Sequence, residues 1–242
     1  AVCTVPPADW GARFQLTGLI GRALNVCGEL PESGVIDGAV FKGVIGGESS
    51  KVEFKGRDIF NFRPFATHWF ASNHLPRSRD SSMGFVRRWQ IFEFSRVVAQ
   101  EDRIEGIHEI LVAQEREAIA AWAMQGLPRL LRQHDYTQPA SHKSLLDDIY
   151  RSNNSIYTWL ETNDQYVVTG DDEDTALASE LFRAYAFFMK EFNRGWNAPY
   201  NTFLQEMHQI GHRGTDVKMH IGPKVRVLHG IREIKPEEKI RA

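Results

Sequence analysis

Residues 67–94 read THWFASNHLPRSRDSSMGFVRRWQIFEF, and the fold turns on this stretch. THWFAS (Thr67–Ser72) is a short apolar run that stops at Asn73, and WQIFEF (Trp89–Phe94) is another. Brief apolar runs bounded by polar or Gly-rich turns suit buried strands. Between the two come Ser72-Asn73-His74-Leu75-Pro76, then Asp80, Gly84-Phe85 and the pair Arg87-Arg88. Upstream, ALNVC (Ala23–Cys27) is a third apolar run, ending at Gly28-Glu29. The connection FKGVIGGESSKVEFKGRD (Phe41–Asp58) is rich in Gly and Lys, and its KVEF alternates polar and apolar as a hairpin strand does. These runs predict mixed α/β structure over residues 1–100.

Downstream the pattern changes. Ile104, Ile107, Leu111, Ile119, Trp122 and Leu130 recur near helical spacing, with a break expected at Gly126 and Pro128. Residues 101–140 therefore read as a helical segment. Ser141–Thr162 reads as helix with a polar interruption, and VVTGDDED (167–174) as an acidic linker or helix cap. TALASELFRAYAFFMKEFN is a strongly amphipathic helix, with Leu177, Leu181, Tyr185, Phe188 and Phe192 on one stripe. YNTFLQEMHQIG follows as a shorter helix that Gly211 can end. VKMHIGPKVRVLHGI then alternates around a turn at Gly222-Pro223. Helix, turn, helix and hairpin, in that order, make 141–242 a linker and an α+β winged helix.

Bulk properties narrow the classes. With 242 residues, 42% of them hydrophobic and 25% charged, the chain has the make-up of an ordinary globular protein of one or two domains. A net charge of −2 means that nucleic-acid binding must come from local clusters of cations. Two unpaired-looking cysteines, Cys3 and Cys27, exclude a disulfide scaffold and fit a reducing cytoplasm. No apolar run approaches the roughly 20 residues of a membrane span, and the start AVCTVPPADW is not a signal peptide. The lack of an initiator Met makes a processed product or part of a longer reading frame the expectation.

The pattern in 41–94 resembles the ATPase core of superfamily III helicases, more narrowly the primase-helicases of phages, plasmids and poxviruses. Its pieces are a Lys with Gly-Gly, an aromatic-Pro segment, a strand ending in S/T-N-x-x-P, an Asp, a Gly-aromatic pair and Arg-Arg before a last strand. All occur here in order. The resemblance implies a partial AAA+ P-loop-type ATPase domain (1–100), its helical lid (101–140) and a winged helix, within a hexameric ring that burns ATP with Mg²⁺ while moving on single-stranded DNA. In that family a P-loop, G-x-x-x-x-G-K-[ST], comes before the part matched here. These 242 residues contain none, so neither ATP nor Mg²⁺ is expected to bind this chain tightly by itself.

The resemblance also assigns residues. Glu29 is the acid at a strand end that orients water or reaches Mg²⁺ through water, although the residue before it, often acidic, is Gly28. Asn73 is the sensor amide, which can hold a water at the γ-phosphate without adding charge; an Asx-turn before Pro76 is the plainer reading. Arg88, or Arg87, is the arginine finger donated to the next subunit, against an ordinary surface Arg. Lys42, Lys51, Lys55 and Arg57 belong to a hairpin that grips single-stranded DNA, or else to a merely solvated one. Lys224 and Arg226, with Lys218, Arg232, Lys235, Lys239 and Arg241 around them, form a wing that meets DNA phosphates, or a protein-docking wing. His208, His212, His220 and His229 lack the partners for zinc, so no metal site is expected. Trp122, Trp159 and Trp196 read as packing residues.

The resulting expectation is a piece of a replicative DNA helicase acting at origin or single-stranded DNA in a bacterial or viral-host cytoplasm, without a membrane anchor. The rival is a non-enzymatic DNA-binding or assembly piece, which the missing P-loop favours. A winged-helix transcription regulator is a poorer third, because it leaves Asn73 and Arg88 without a purpose.

Overall fold

The runs ending at Gly28 and Asn73 lie side by side as parallel strands. The computed structural model describes residues 2–171, 173–191, 198–212, 218–221 and 226–235, with side chains for all but 208–212, 218–221 and 226. The first part contains β1 (Val2–Cys3), β2 (Leu24–Cys27), β3 (Val35–Ile36), α1 (Gly38–Ile45), the hairpin β4 (Ser50–Val52) and β5 (Phe60–Phe62), β6 (Thr67–Phe70), β7 (Arg77–Ser78) and the single turn α2 (Met83–Val86). β1, β2 and β6 form a parallel sheet in that order, with Val2 opposite Leu24 and Leu24 opposite Thr67. Because side chains alternate along a strand, Cys27, Asn25 and His68 share one face. Val26 and Trp69 share the other, where Trp69 is 61% exposed. The inner face packs on Trp10, which is buried and stands 5.8 Å from Phe41 and 4.7 Å from His68, ring to ring.

Local chemistry explains the elements. Asp37 caps α1, accepting from the amides of Ala39 and Val40 at 2.9 and 3.1 Å. Phe41 and Val44 on α1 are buried, and Phe41 meets Phe85 of α2 at 5.0 Å. Gly38 allows the loop at Asp80 to press on the helix: a Cβ there would lie 2.3 Å from the Asp80 Cβ.

The chain divides into two compact units, residues 1–86 with 148–242, and residues 87–147. Residues 148–242 fall in the same unit as 1–86, and the second unit begins at Arg87. That unit holds α3 (Ile107–Gln114), α4 (Arg116–Met124), α5 (Gly126–Gln133) and the start of α6 (His142–Asn153). The long helical pattern is thus broken twice, at Glu115 and at Gln125 just before Gly126. Trp122 is not a packing residue as expected: it is 73% exposed. The expected strand Trp89–Phe94 is absent too. A strand exists only where a neighbour completes its backbone hydrogen bonds. Among the described residues no strand pairs with 89–94, and Phe94 is 93% exposed.

The remainder contains α7 (Ser155–Thr162), β8 (Tyr166–Val168), β9 (Thr175–Leu177), α8 (Ala178–Glu191), α9 (Tyr200–His212), β10 (Lys218–Ile221), β11 (Arg226–His229) and β12 (Ile231–Glu233). The polar interruption at Asn153-Asn154 separates α6 from α7, and Asn154 caps α7 through the amides of Ile156 and Tyr157. Trp159 of α7 is buried at the centre, with Tyr185 of α8 and Phe203 of α9 at 5.9 and 6.0 Å. Leu181, Tyr185 and Phe188 form the buried stripe of α8, whereas Leu177 lies in β9. β10 and β11 make the antiparallel hairpin, and β9 adds to β11. Part of the expected acidic linker is strand, because β8 pairs with β12.

Candidate functional site at the strand tips

The backbone ladder between β2 and β6 runs on past both strands. The Ala71 amide donates to the Cys27 carbonyl at 3.0 Å, and the Leu30 amide to the Ala71 carbonyl at 2.9 Å. Glu29 sits between those two bonds and Asn73 two residues beyond Ala71. The two therefore stand at adjacent carboxyl ends of parallel strands, where open α/β sheets hold ligands. Both are exposed. Neither the Glu29 carboxylate nor the Asn73 amide has a hydrogen bond or ion pair among the described residues. The turn after β6 is closed by Ser72, whose hydroxyl accepts from the His74 amide at 3.0 Å; the Asx-turn reading of Asn73 is replaced by this one. A shallow opening beside the tips is lined by Pro7, Leu30, Glu32, Ser72, His74 and Arg77, among others. In it His74 Nε2 lies 3.8 Å from a Glu32 carboxylate oxygen.

Beneath the tips lies a polar cluster that composition did not reveal. Asn25 is fully buried. Its Oδ1 accepts from the Val5 amide at 2.8 Å, and its Nδ2 donates to the Val5 carbonyl at 2.9 Å. The side chain thus continues the β1–β2 ladder where the main chain of β1 has left it. Nδ2 also lies 3.2 Å from His68 Nδ1. Burial pushes the His68 pKa down to about 4. A proton on Nδ1 would set two donors face to face. The signal for this cluster was an Asn inside an apolar run.

The sign of the resulting pH dependence is fixed. His68 takes up its proton near pH 6.5 in the unfolded chain and near 4 in the folded one. Between those values the unfolded state binds the extra proton, so stability falls as pH drops through this window. The difference between pH 7 and pH 5 should be about 1–2 kcal/mol after allowance for partial exposure. Urea midpoints at the two pH values measure it, and His68→Gln should flatten the difference.

The loop that follows Asn73 is held by the α6–α7 junction. Asn153 Oδ1 accepts from the Ser78 amide at 2.8 Å, and its Nδ2 donates to the Pro76 carbonyl at 3.0 Å. Asn154 Nδ2 donates to Glu206 of α9 at 2.8 Å, and Ser81 reaches the same carboxylate at 3.4 Å. Burial raises the Glu206 pKa, and these two bonds partly offset it. Asp80 pairs with Lys42 at 2.7 Å. Against the cost of burial, this pair and the bonds from Ser82 hold the Asp80 carboxyl below its ordinary range.

The remaining predicted residues fall in three places. Lys42 is not on the hairpin: it lies on α1, engaged by Asp80. Lys51 is on β4, and Lys55 and Arg57 are at the turn that follows; all three are exposed. Arg87 is exposed and Arg88 half-buried; both belong to the second unit and are described only within it. Lys224 and the side chain of Arg226 lie outside the described residues, as do Trp196 and the side chains of His208, His212 and His220. Among the described residues no group of His, Cys, Asp and Glu is arranged to hold a metal, and no helix is long and apolar enough to cross a membrane.

No curated protein matches the chain. Residues 3–88, just over a third of its length and a stretch that takes in Glu29, Asn73, Arg87 and Arg88, match the model of a family of unknown function (DUF5906).

Proposed function

We propose that this chain supplies the water-orienting side of an ATPase site in an ATP-dependent replicative DNA helicase of the primase-helicase type, working on single-stranded or origin DNA as a hexameric ring. One observation carries the reading: an uncommitted carboxylate (Glu29) and an uncommitted amide (Asn73) stand at neighbouring tips of a parallel sheet. That pair can hold a water in line with a terminal phosphate, Glu29 by accepting its proton and Asn73 by fixing its direction. Glu29 fits Mg²⁺ through a water and not as one of two adjacent acids, since Gly28 precedes it. Phosphates need a P-loop, which these residues do not include. Arg88 would act on the neighbouring subunit's nucleotide. The order α7, β9, α8, α9, β10–β11 supports a winged helix, and so a second DNA contact. Cytoplasmic location belongs to the same reading.

The test is DNA-stimulated ATP hydrolysis by a chain extended upstream through a P-loop. Asn73→Ala and Glu29→Gln should each lower kcat by about 100-fold or more, with little change in KM, because each acts on charge that develops during transfer. Unchanged rates in both would end the helicase reading. The rival, a non-enzymatic DNA-binding or assembly piece, keeps its support from the missing P-loop and predicts DNA binding without any hydrolysis.

A further inference from the structure

We infer that the β4–β5 hairpin carries a base-stacking platform, Phe54 seated on Phe60, that holds single-stranded nucleic acid by its bases as well as its phosphates. The inference rests on the nucleic-acid side of the proposed function and is independent of ATP hydrolysis.

The hairpin is built to project. Lys51 faces Asn61, and Val52 faces Phe60. Val52 is buried, so the Val52–Phe60 side anchors the hairpin and the Lys51–Asn61 side faces water. Gly56 has φ +75°, and the Arg57 amide donates to the Phe54 carbonyl at 3.0 Å. This is a tight turn with glycine at the position that requires positive φ. It leaves residues 54–59 exposed.

An exposed Phe is normally a cost, and here the ring is also held in place. Phe54 stacks on Phe60 with ring centres 5.6 Å apart and planes 25° from parallel. Phe60 is half-buried, while Phe54 is 42% exposed. One face of Phe54 is thus fixed against the body, and ring area remains in water, oriented before any ligand arrives. A flat ring so oriented suits a nucleobase, which has a π-face whatever its identity.

The charge around the ring selects the partner. Lys51, Lys55, Arg57 and Arg63 are exposed, and none forms an ion pair among the described residues. Of the two acids in the same stretch, Glu53 is taken up by Arg13, leaving Asp58. In a chain of net charge −2 the hairpin is therefore a local cationic patch with an aromatic at its centre. Phosphates meet the cations while a base extends the Phe60–Phe54 stack. A duplex, whose bases are already stacked on one another, cannot use the ring.

Fluorescence anisotropy on the 242-residue chain with two labelled oligomers of equal length tests this, one a thymidine homopolymer and one abasic. The wild type should bind the thymidine oligomer roughly tenfold more tightly than the abasic one, a stacking-sized preference. Phe54→Ala and Phe54→Leu should abolish that preference, and Phe54→Trp should keep or raise it. Lys55→Ala with Arg57→Ala should weaken both oligomers alike and lower the slope of log K against log salt by about 1.4. Thermal midpoints near the wild type verify that the variants fold, and the Leu variant serves if the Ala variant does not. A preference that survives in Phe54→Ala, or is absent from the wild type, overturns the platform and leaves the hydrolysis test standing. Failure to bind either oligomer at low salt, including the case in which anionic lipid vesicles bind instead, overturns the platform and the nucleic-acid reading together.

Discussion

Asn25→Ala should cost about 3–5 kcal/mol of stability, read as a fall in the urea midpoint at unchanged slope. The Val5 amide is buried and donates to Asn25 Oδ1 alone among the described residues. Orphaning it costs roughly 1–3 kcal/mol, and the lost bonds and the small void add about 1 kcal/mol each. The Val5 carbonyl is better protected, since Trp10 Nε1 also donates to it at 3.1 Å. Two comparisons sharpen the argument. Asn25→Asp keeps the shape but places an acceptor against the Val5 carbonyl, and a charge in a buried site. It should therefore destabilise at least as much at pH 7 and less at low pH, where the carboxyl takes a proton. Trp10→Ala combined with Asn25→Ala should be non-additive, because both side chains serve one carbonyl.

Trp159→Ala should be the other severe lesion, at about 3–5 kcal/mol. Trp159 is fully buried, and Tyr166, Tyr185 and Phe203 stand within 6.2 Å of it. Removing it withdraws the surface on which α7, α8 and α9 meet. Trp159→Phe should recover about half of the loss, since it restores ring contacts but not full volume. Near-UV circular dichroism and urea midpoints report both variants. A Trp159→Ala protein as stable as the wild type would show that the three helices do not depend on this ring.

How far the chain could be read in advance follows from what each element needs. β2 and β6 were legible because three or four apolar residues in a short run ended at a polar stop, and α8 because its stripe repeats over fourteen residues. β1, β3, β7 and β12 have two or three residues each, too few to carry a period. They exist because a neighbouring strand supplies their bonds. WQIFEF fails for the same reason in reverse: its composition suits a strand, and among the described residues no strand pairs with it. Glu29 and Asn73 were placed by the residues flanking them, and their nearness is a property of parallel pairing. Asn25 was hidden because an amide's partner, here the backbone of Val5, cannot be read from the amide. Lys42 was assigned to the hairpin from the glycines around it, but those glycines lie in and just after a helix capped by Asp37.

The close approach of Gly38 to Asp80 also bears on how this sequence can drift. Any side chain at 38 meets Asp80 first, and any loss of Asp80 strands Lys42. A lineage leaving glycine at 38 must already have shortened or moved residue 80, and one that gave up Asp80 first would have to settle the cation at 42. Positions 38, 42 and 80 are thus coupled through contact, and a change at one of them is felt at the other two.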